Sequence, residues 1–248
     1  MQKKLHSAVS RDLLTPLSCI VIFVDLCLDR ADVPPKEKMN ILKQIKASAR
    51  FVQFKMHDLL DLTLLENGKV KKRNDHFIVH NALNEIIQLV QFQNMNRRVT
   101  ITDDYRRLIE HRIEGDKNRL QQVFMNLLTN AMKYSPDNSK ISVTASSQAI
   151  HADDTVPVVM LSVIVQDEGP GIDLEDQDRI WLPLTYLEKH RRLNPHGVGL
   201  GLTLCKIICD NFGGDIAVFS DGTTGSTFEF RFKVKYSYQG QDKEENPT

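Results

Sequence analysis

The 248 residues carry 32 basic and 32 acidic side chains, so the formal net charge is zero, and 41% of the residues are hydrophobic. That balance marks a soluble, globular chain, long enough for one large domain or for a compact domain plus a helical piece. It supplies no field that would favour nucleic acid or an anionic membrane surface. Four cysteines, Cys19, Cys27, Cys205 and Cys209, fall inside helical patterns and form no CxxC pair. Reduced thiols of a cytoplasmic protein fit that spacing better than disulfides or a metal site.

The most apolar N-terminal run, Leu17 to Leu28, contains Asp25, is too short to span a bilayer and lacks a small-residue cleavage site. No membrane contact is expected within this chain, and a sensor facing across a membrane would lie outside it. Residues 1–66 read as two long helices. In the second, Leu42, Ile45, Ala49, Val52, Met56 and Leu59 recur at alternating intervals of three and four. Leu13, Leu17, Ile20, Val24 and Cys27 do the same in the first. Between them Pro34 and Pro35 break the pattern, which predicts an antiparallel hairpin. Two helices cannot enclose a core. A second copy, giving a dimeric four-helix bundle, is the simplest partner for the seams. Packing of the hairpin on its own C-terminal domain is the alternative.

Gly68 is a candidate helix stop, and the basic run Lys71, Lys72 and Arg73 reads as part of a solvated linker over 67–76. The expected elements of 77–235 are a helix over Leu83–Phe92 and short strands over Val99–Thr102 and Arg112–Glu114. A helix capped by Asp116 follows, stopping before Ser135 and Pro136. Strands are expected over Ile141–Ser147 and Val156–Gln166, then a helix over Leu200–Asn211 and strands over Asp215–Ser220 and Ser226–Lys235. Without a regular βαβ alternation this predicts a layered α+β fold rather than a doubly wound sheet. The tail, 236–248, is polar and expected to be disordered.

Chemistry concentrates in two glycine loops. Asp167, Glu168, Gly169, Pro170, Gly171 and Ile172 follow a buried-strand run, and His196, Gly197, Val198, Gly199, Leu200, Gly201 and Leu202 open a helix. Glycines let backbone approach a ligand, and a helix N-terminus beside such a loop suits phosphate oxygens. The spacing does not fit the compact Rossmann fingerprint. Upstream, Asn126 and Asn130 stand one turn apart on one helical face, followed by Lys133 and Tyr134. Two amides offer carbonyl oxygens to a hard cation such as Mg2+, lysine can reach a phosphate and tyrosine can lie on a purine.

These motifs, with the closing Gly222, Gly225, Ser226, Thr227 and Phe228, resemble the ATP-binding domain shared by sensor histidine kinases, DNA gyrase, the Hsp90 chaperones and the MutL proteins. The resemblance spans residues 120–232 and implies an α/β-sandwich ATP-binding domain. It implies that Asp167 accepts the adenine amino group, that Asn130 holds Mg2+, with Asn126 a second candidate, and that Gly197, Val198, Gly199, Leu200, Gly201 and Leu202 cradle phosphates. Gly169, Gly171, Ile172 and Thr227 complete the nucleotide set, and 173–195 is the expected lid. Gyrase-like and chaperone-like members carry a water-activating glutamate where this chain has Asn126. An amide cannot act as that base. The form Asn-Leu-Leu-Xaa-Asn-Ala-Xaa-Lys-Tyr, and the run Arg179, Ile180, Trp181, Leu182, Pro183 and Leu184, resemble the histidine-kinase branch, as does the N-terminal hairpin.

In that branch the first helix reads like Ser-His-Glu-Leu-Arg-Thr-Pro-Leu, the histidine accepting the phosphoryl group. Here the segment is Ser10, Arg11, Asp12, Leu13, Leu14, Thr15, Pro16 and Leu17. Asp12 and Thr15 are retained neighbours of the missing acceptor, but Arg11 stays protonated and is no nucleophile. His6, five residues earlier, points about 140° away round the helix. His57 and His80 read as ordinary histidines. Three functions follow as expectations. The first is a phosphorelay core that cannot phosphorylate itself in the usual way. It would phosphorylate a histidine on a heterodimer partner, regulate a response-regulator receiver domain, or signal by ATP-dependent conformation, the hairpin itself forming a homodimer or heterodimer. The second is a non-catalytic dimeric scaffold that keeps ATP as a structural ligand. The third, a free ATPase, is disfavoured by Asn126.

Overall fold

The computed structural model describes residues 2–29, 34–61, 72–94, 96–108, 112–151, 158–185, 187 and 199–236, with backbone alone for 2–12, 59 and 151. Among these, α1 (Gln2–Asp29) and α2 (Pro35–Leu60) form the N-terminal hairpin. The predicted stop at Gly68 and the tail from Ser237 lie outside the described residues. Pro16 sits inside α1 and is buried.

Two offset apolar lines run along α1. Leu13, Pro16, Ile20, Phe23 and Cys27 are buried or half-buried, whereas Leu14, Leu17, Val21, Val24 and Leu28 are exposed, Leu28 at 76%. The predicted seam thus mixes the two lines, because neighbouring heptad faces of a largely apolar stretch share the same periodicity. On α2, Met39, Leu42 and Met56 are exposed as well.

A different face of α2 docks on the rest of the chain. Phe51 and Phe54 pack against the hydrophobic core of the α/β portion. Gln93 donates to Ser48 Oγ at 3.3 Å, and Arg50 pairs with Glu85 at 3.3 Å. Packing on the chain's own C-terminal part therefore occurs, and it uses residues flanking the seam rather than the seam itself. The two expected packing modes do not compete for one surface.

The α/β portion contains β1 (Asp75–Phe77), α3 (Val79–Gln93), β2 (Thr100–Arg107), β3 (Ile113–Gly115), α4 (Lys117–Tyr134), β4 (Lys140–His151) and β5 (Val158–Asp167). Then come α5 (Leu174–Gln177), a 3-10 turn over Arg179–Trp181, α6 (Gly201–Asn211), β6 (Asp215–Phe219) and β7 (Ser226–Tyr236). The strands form one sheet in the order β1-β3-β7-β5-β4-β2, with β6 also on β7. The edge of β7 is shared: β6 pairs along Thr227 to Arg231, and β3 pairs with Lys235 and Tyr236. Only β2 and β4 pair in parallel; the other described pairs are antiparallel. The predicted α+β layering holds, as helices α3, α4 and α6 contribute Leu83, Leu120, Phe124, Leu204 and Ile208 to a core closed below by Val163, Phe230 and Phe232. Alternation along β5 gives one buried face.

Candidate nucleotide site

The site grows from the end of α4. Asp116 caps that helix, accepting the Arg119 N–H on Oδ1 at 3.0 Å, and its Oδ2 takes the Arg73 N–H at 2.9 Å. Residues Leu120 to Leu128 are all buried, so α4 is a central helix rather than a surface one. Ser135, extended at φ −66 and ψ 137 before Pro136, ends it. Asn126 is buried and Asn130 is half-buried, as are Lys133 and Tyr134.

The end of β5 lies beside the start of β7, with Asp167 opposite Ser226 and Gln166 opposite Thr227. This register places the first glycine loop next to the β6–β7 turn. Asp167 is buried, and burial raises its pKa, while N–H groups of Gly169 and Ser226 pull it back. The Gly169 N–H donates to Oδ1 at 2.8 Å. A carboxylate offers about four lone-pair sites, so capacity remains for an external donor. A Cβ on Gly169 would also meet the Tyr134 carbonyl at 3.2 Å, which fixes the loop against the end of α4.

Gly171 adopts φ +73, and a Cβ there would lie 2.6 Å from Thr223 N. Glycine is needed at that position by the protein's own backbone as well as by any ligand. Ser220 ties the first glycine loop to the β6–β7 turn. Its hydroxyl donates to the Gly225 carbonyl at 2.6 Å and accepts the Ile172 N–H at 2.9 Å. Gln177 adds bonds to the carbonyls of Ile172 and Ser220 at 3.1 and 2.8 Å. Neither Ser220 nor Gln177 was expected from the sequence, since both act through local backbone bonds that no spacing reveals.

The second loop is described from Gly199 onward; Gly197 and Val198 lie outside the described residues. Leu184 donates its N–H to the Gly199 carbonyl at 2.8 Å, pinning the middle of the predicted lid to this loop. Leu200 is buried, Leu202 is half-buried, and Gly201 opens α6 against Asn126. Trp181 meets Phe228 edge-on at 6.2 Å between centroids. Arg11 and Asp12 fall within α1, and Thr15, exposed, lies one turn further on.

Two buried hydroxyls flank the site without a hydrogen-bond partner: Thr203 Oγ1 in the first turn of α6 and Ser135 Oγ at the end of α4. Thr203, an orphaned buried donor beside a helix N-terminus, fits a phosphate-bearing ligand, whereas Ser135 stands at a helix C-terminus. No group of three or more His, Cys, Asp or Glu among the described residues is placed to hold a metal. Asn126 and Asn130 offer neutral amide oxygens, hard donors of the kind that Mg2+ takes beside phosphates and water. The cysteines form no disulfide, and burial pushes the Cys205 and Cys209 thiols up.

Residues 115–236 match the family described as "Histidine kinase-, DNA gyrase B-, and HSP90-like ATPase". This part of the chain is therefore similar to a histidine kinase-like ATPase domain. Among curated proteins, the chain is 28% identical over 226 residues to the signal transduction histidine-protein kinase BarA of Escherichia coli (strain K12), covering 91% of this chain and 24% of that protein. The chain thus spans about a quarter of that relative's length. Among solved structures, it resembles the nucleotide-free catalytic domain of the histidine kinase ThkA (TM-score 0.50, 26% identity, 65% of this chain and 97% of that one). The fold also matches full-length ShkA, solved with AMPPNP (TM-score 0.59, 19% identity, 95% of this chain and 46% of that one). Among the described residues, no helix is long and apolar enough to cross a membrane.

Proposed function

We propose that this chain is the ATP-binding core of a two-component phosphorelay protein that holds ATP with Mg2+ but lacks its own phosphoacceptor. The buried Asp167 carboxylate at the head of the first glycine loop, with acceptor capacity to spare, carries the reading. In it Asp167 takes the adenine amino group, with Gly169, Gly171, Ile172 and Thr227 around the base. Tyr134 lies on the purine and Lys133 reaches a phosphate. Asn130, joined by Asn126, holds the cation, and the stretch from Gly197 to Leu202 surrounds the phosphates. When bound, Mg2+ would offset phosphate charge.

Asn126 leaves the site without a carboxylate base for water, so the γ-phosphoryl group is conserved for transfer. Arg11 cannot receive it. The recipient is then a histidine on a partner chain, while Asp12 and Thr15 stand where they would assist dephosphorylation of a receiver domain. The exposed line Leu14, Leu17, Val21, Val24 and Leu28, with Met39, Leu42 and Met56, is the surface a second hairpin would cover in a four-helix dimer. We assign 1–66 to the hairpin, 67–76 to the linker, whose last two residues enter β1, 77–235 to the ATP-binding domain and 236–248 to a polar tail, in a cytoplasmic protein.

Arg11 also favours a second reading, a non-catalytic scaffold that keeps ATP structurally. Calorimetric titration with ATP and Mg2+ tests what the readings share: the wild type binds and Asp167→Asn loses most of the affinity. No binding by the wild type would reject both. Transfer of labelled phosphate to a histidine-bearing partner chain separates them.

A further inference from the structure

Where α4 packs against α6, two residues of each helix meet. Val123 and Asn126 stand about one turn apart on α4, and Gly201 and Cys205 stand about one turn apart on α6. Asn126 and Cys205 are both buried. A Cβ at Gly201 would lie 3.1 Å from Asn126 Oδ1 and 3.5 Å from its Cγ, so the oxygen end of the amide is turned toward the start of α6. Cys205 takes the other end. Its sulfur accepts a hydrogen bond from the Asn126 side chain, and its S–H donates to the Val123 carbonyl at 3.9 Å.

The oxygen and nitrogen of an amide are almost the same size, so packing alone does not decide which of them faces Gly201. Hydrogen bonding does. The nitrogen only donates and the oxygen only accepts. A thiol whose proton is directed at the Val123 carbonyl offers the amide nothing but lone pairs. It therefore selects the nitrogen and sends the oxygen the other way. Burial pushes the Cys205 thiol well up, so the sulfur keeps its proton and the direction of the chain is preserved. Without the sulfur, an inward-facing nitrogen would be a buried donor lacking an acceptor, which is costly, and the reversed amide becomes competitive.

We propose that Cys205 is a positioning residue of the nucleotide site: it fixes the Asn126 amide so that Oδ1, not Nδ2, faces the phosphate loop and is open to the cation. The cation half of this rests on the nucleotide reading above. A reversed amide presents two N–H donors to the loop, which repel a cation and leave a phosphate oxygen undisturbed. Cys205 thus acts on metal-bound ATP through Asn126, and it need not touch the ligand itself.

The side-chain amide signals of Asn126 in nitrogen-15-labelled, nucleotide-free protein test the orientation, and their loss in Asn126→Asp identifies them. In the wild type these protons should exchange with water at least about tenfold more slowly than in Cys205→Ala. Cys205→Ser, which keeps a smaller acceptor, should recover part of the protection. Cys205→Val, which fills the space without a lone pair, should not. Equal exchange in the wild type and Cys205→Ala, or wild-type protection in Cys205→Val, overturns the assignment. Should Cys205→Ala fail to fold by circular dichroism, the contrast between Cys205→Ser and Cys205→Val decides.

Calorimetric titration with ATP, once with Mg2+ and once with a chelator, tests the cation half. Mg2+ should raise the affinity of the wild type, and Cys205→Ala should lose about tenfold of that gain while its affinity in chelator stays within about twofold. Equal losses in both media make Cys205 a packing residue and overturn the cation half. A wild type that binds ATP equally in both media removes Asn126 as a cation ligand, with the same consequence. Absence of ATP binding by the wild type in either medium rejects the nucleotide reading and the cation half with it, leaving the orientation of the amide to the exchange measurement.

Discussion

Gly201 opens α6 directly against Asn126: a Cβ at 201 would stand 3.1 Å from the Asn126 amide oxygen. The two helices that supply the amides and the glycine loop are therefore registered at the site itself. Gly201→Ala adds a methyl group at that contact and should push the amide aside by a few tenths of an ångström. In a helix, alanine is favoured over glycine by up to about 1 kcal/mol, so thermal stability should hold or rise. ATP affinity should fall about tenfold as the amide and the phosphate loop separate. Unfolding and titration of the same sample check the split; unchanged affinity would show that the Asn126–Gly201 contact does not set the site.

Asp167 gives a second split. Burial raises its pKa despite the Gly169 and Ser226 N–H groups. A carboxyl whose folded-state pKa is raised holds its proton more tightly folded than unfolded. Its stability contribution is full below the unfolded value and is lost as pH rises through the folded value. Asp167→Asn removes that loss, so the melting temperature at neutral pH should stay level or rise while ATP affinity drops by at least about tenfold. In the wild type, affinity should fall on acidification sooner than an ordinary aspartate would dictate, because protonation removes an acceptor. Titrations from neutral to acid pH check this.

Asp116 performs two tasks, capping α4 and receiving the Arg73 N–H. Asp116→Ala should destabilise the protein by about 1–2 kcal/mol, the upper part of the range for a lost helix cap. Asp116→Asn, which keeps an acceptor oxygen, should recover most of it. Equilibrium denaturation in urea measures both.

The exposed line on α1 predicts self-association. Val21→Glu with Leu28→Glu places charges on that line, whose residues are 57% and 76% exposed in the single chain. Sedimentation should show a dimer for the wild type and a monomer for the double variant, with the helical signal largely retained. A wild-type monomer across the micromolar range would remove the bundle.

Residues whose role is local were legible in the sequence. Asp116 caps α4, Ser135 and Pro136 end it, and the apolar buried-strand run ending at Gln166 marks β5. Strand lengths were read short where charge intervened. β2 runs on through Asp103, Asp104, Arg106 and Arg107 because it is an edge strand with exposed positions. β1 is three residues whose pairing with β3 comes from tertiary context. The short helix α5 and the 3-10 turn after it fall in the stretch read only as a lid. Docking of α2 was visible only as an alternative, since Asp58 and Asp61 meet Gln122 and Arg119, some sixty positions on, only in the folded chain. For the glycine loops, the motifs located the site, but the reason Gly171 must be glycine lies in Thr223, a contact no linear pattern carries.

The central claim, an intact nucleotide site without its acceptor, is tested most directly by complementation. A chain carrying Arg11→His and Asp167→Asn has an acceptor but a crippled nucleotide site; the wild type has the reverse. Each is incubated with γ-labelled ATP and Mg2+, alone and as a mixed dimer, and acid-labile phosphate is counted on the double variant. The account predicts label on that chain only in the mixture. No label in the mixture, from a wild type that binds ATP, would contradict it and leave the scaffold reading.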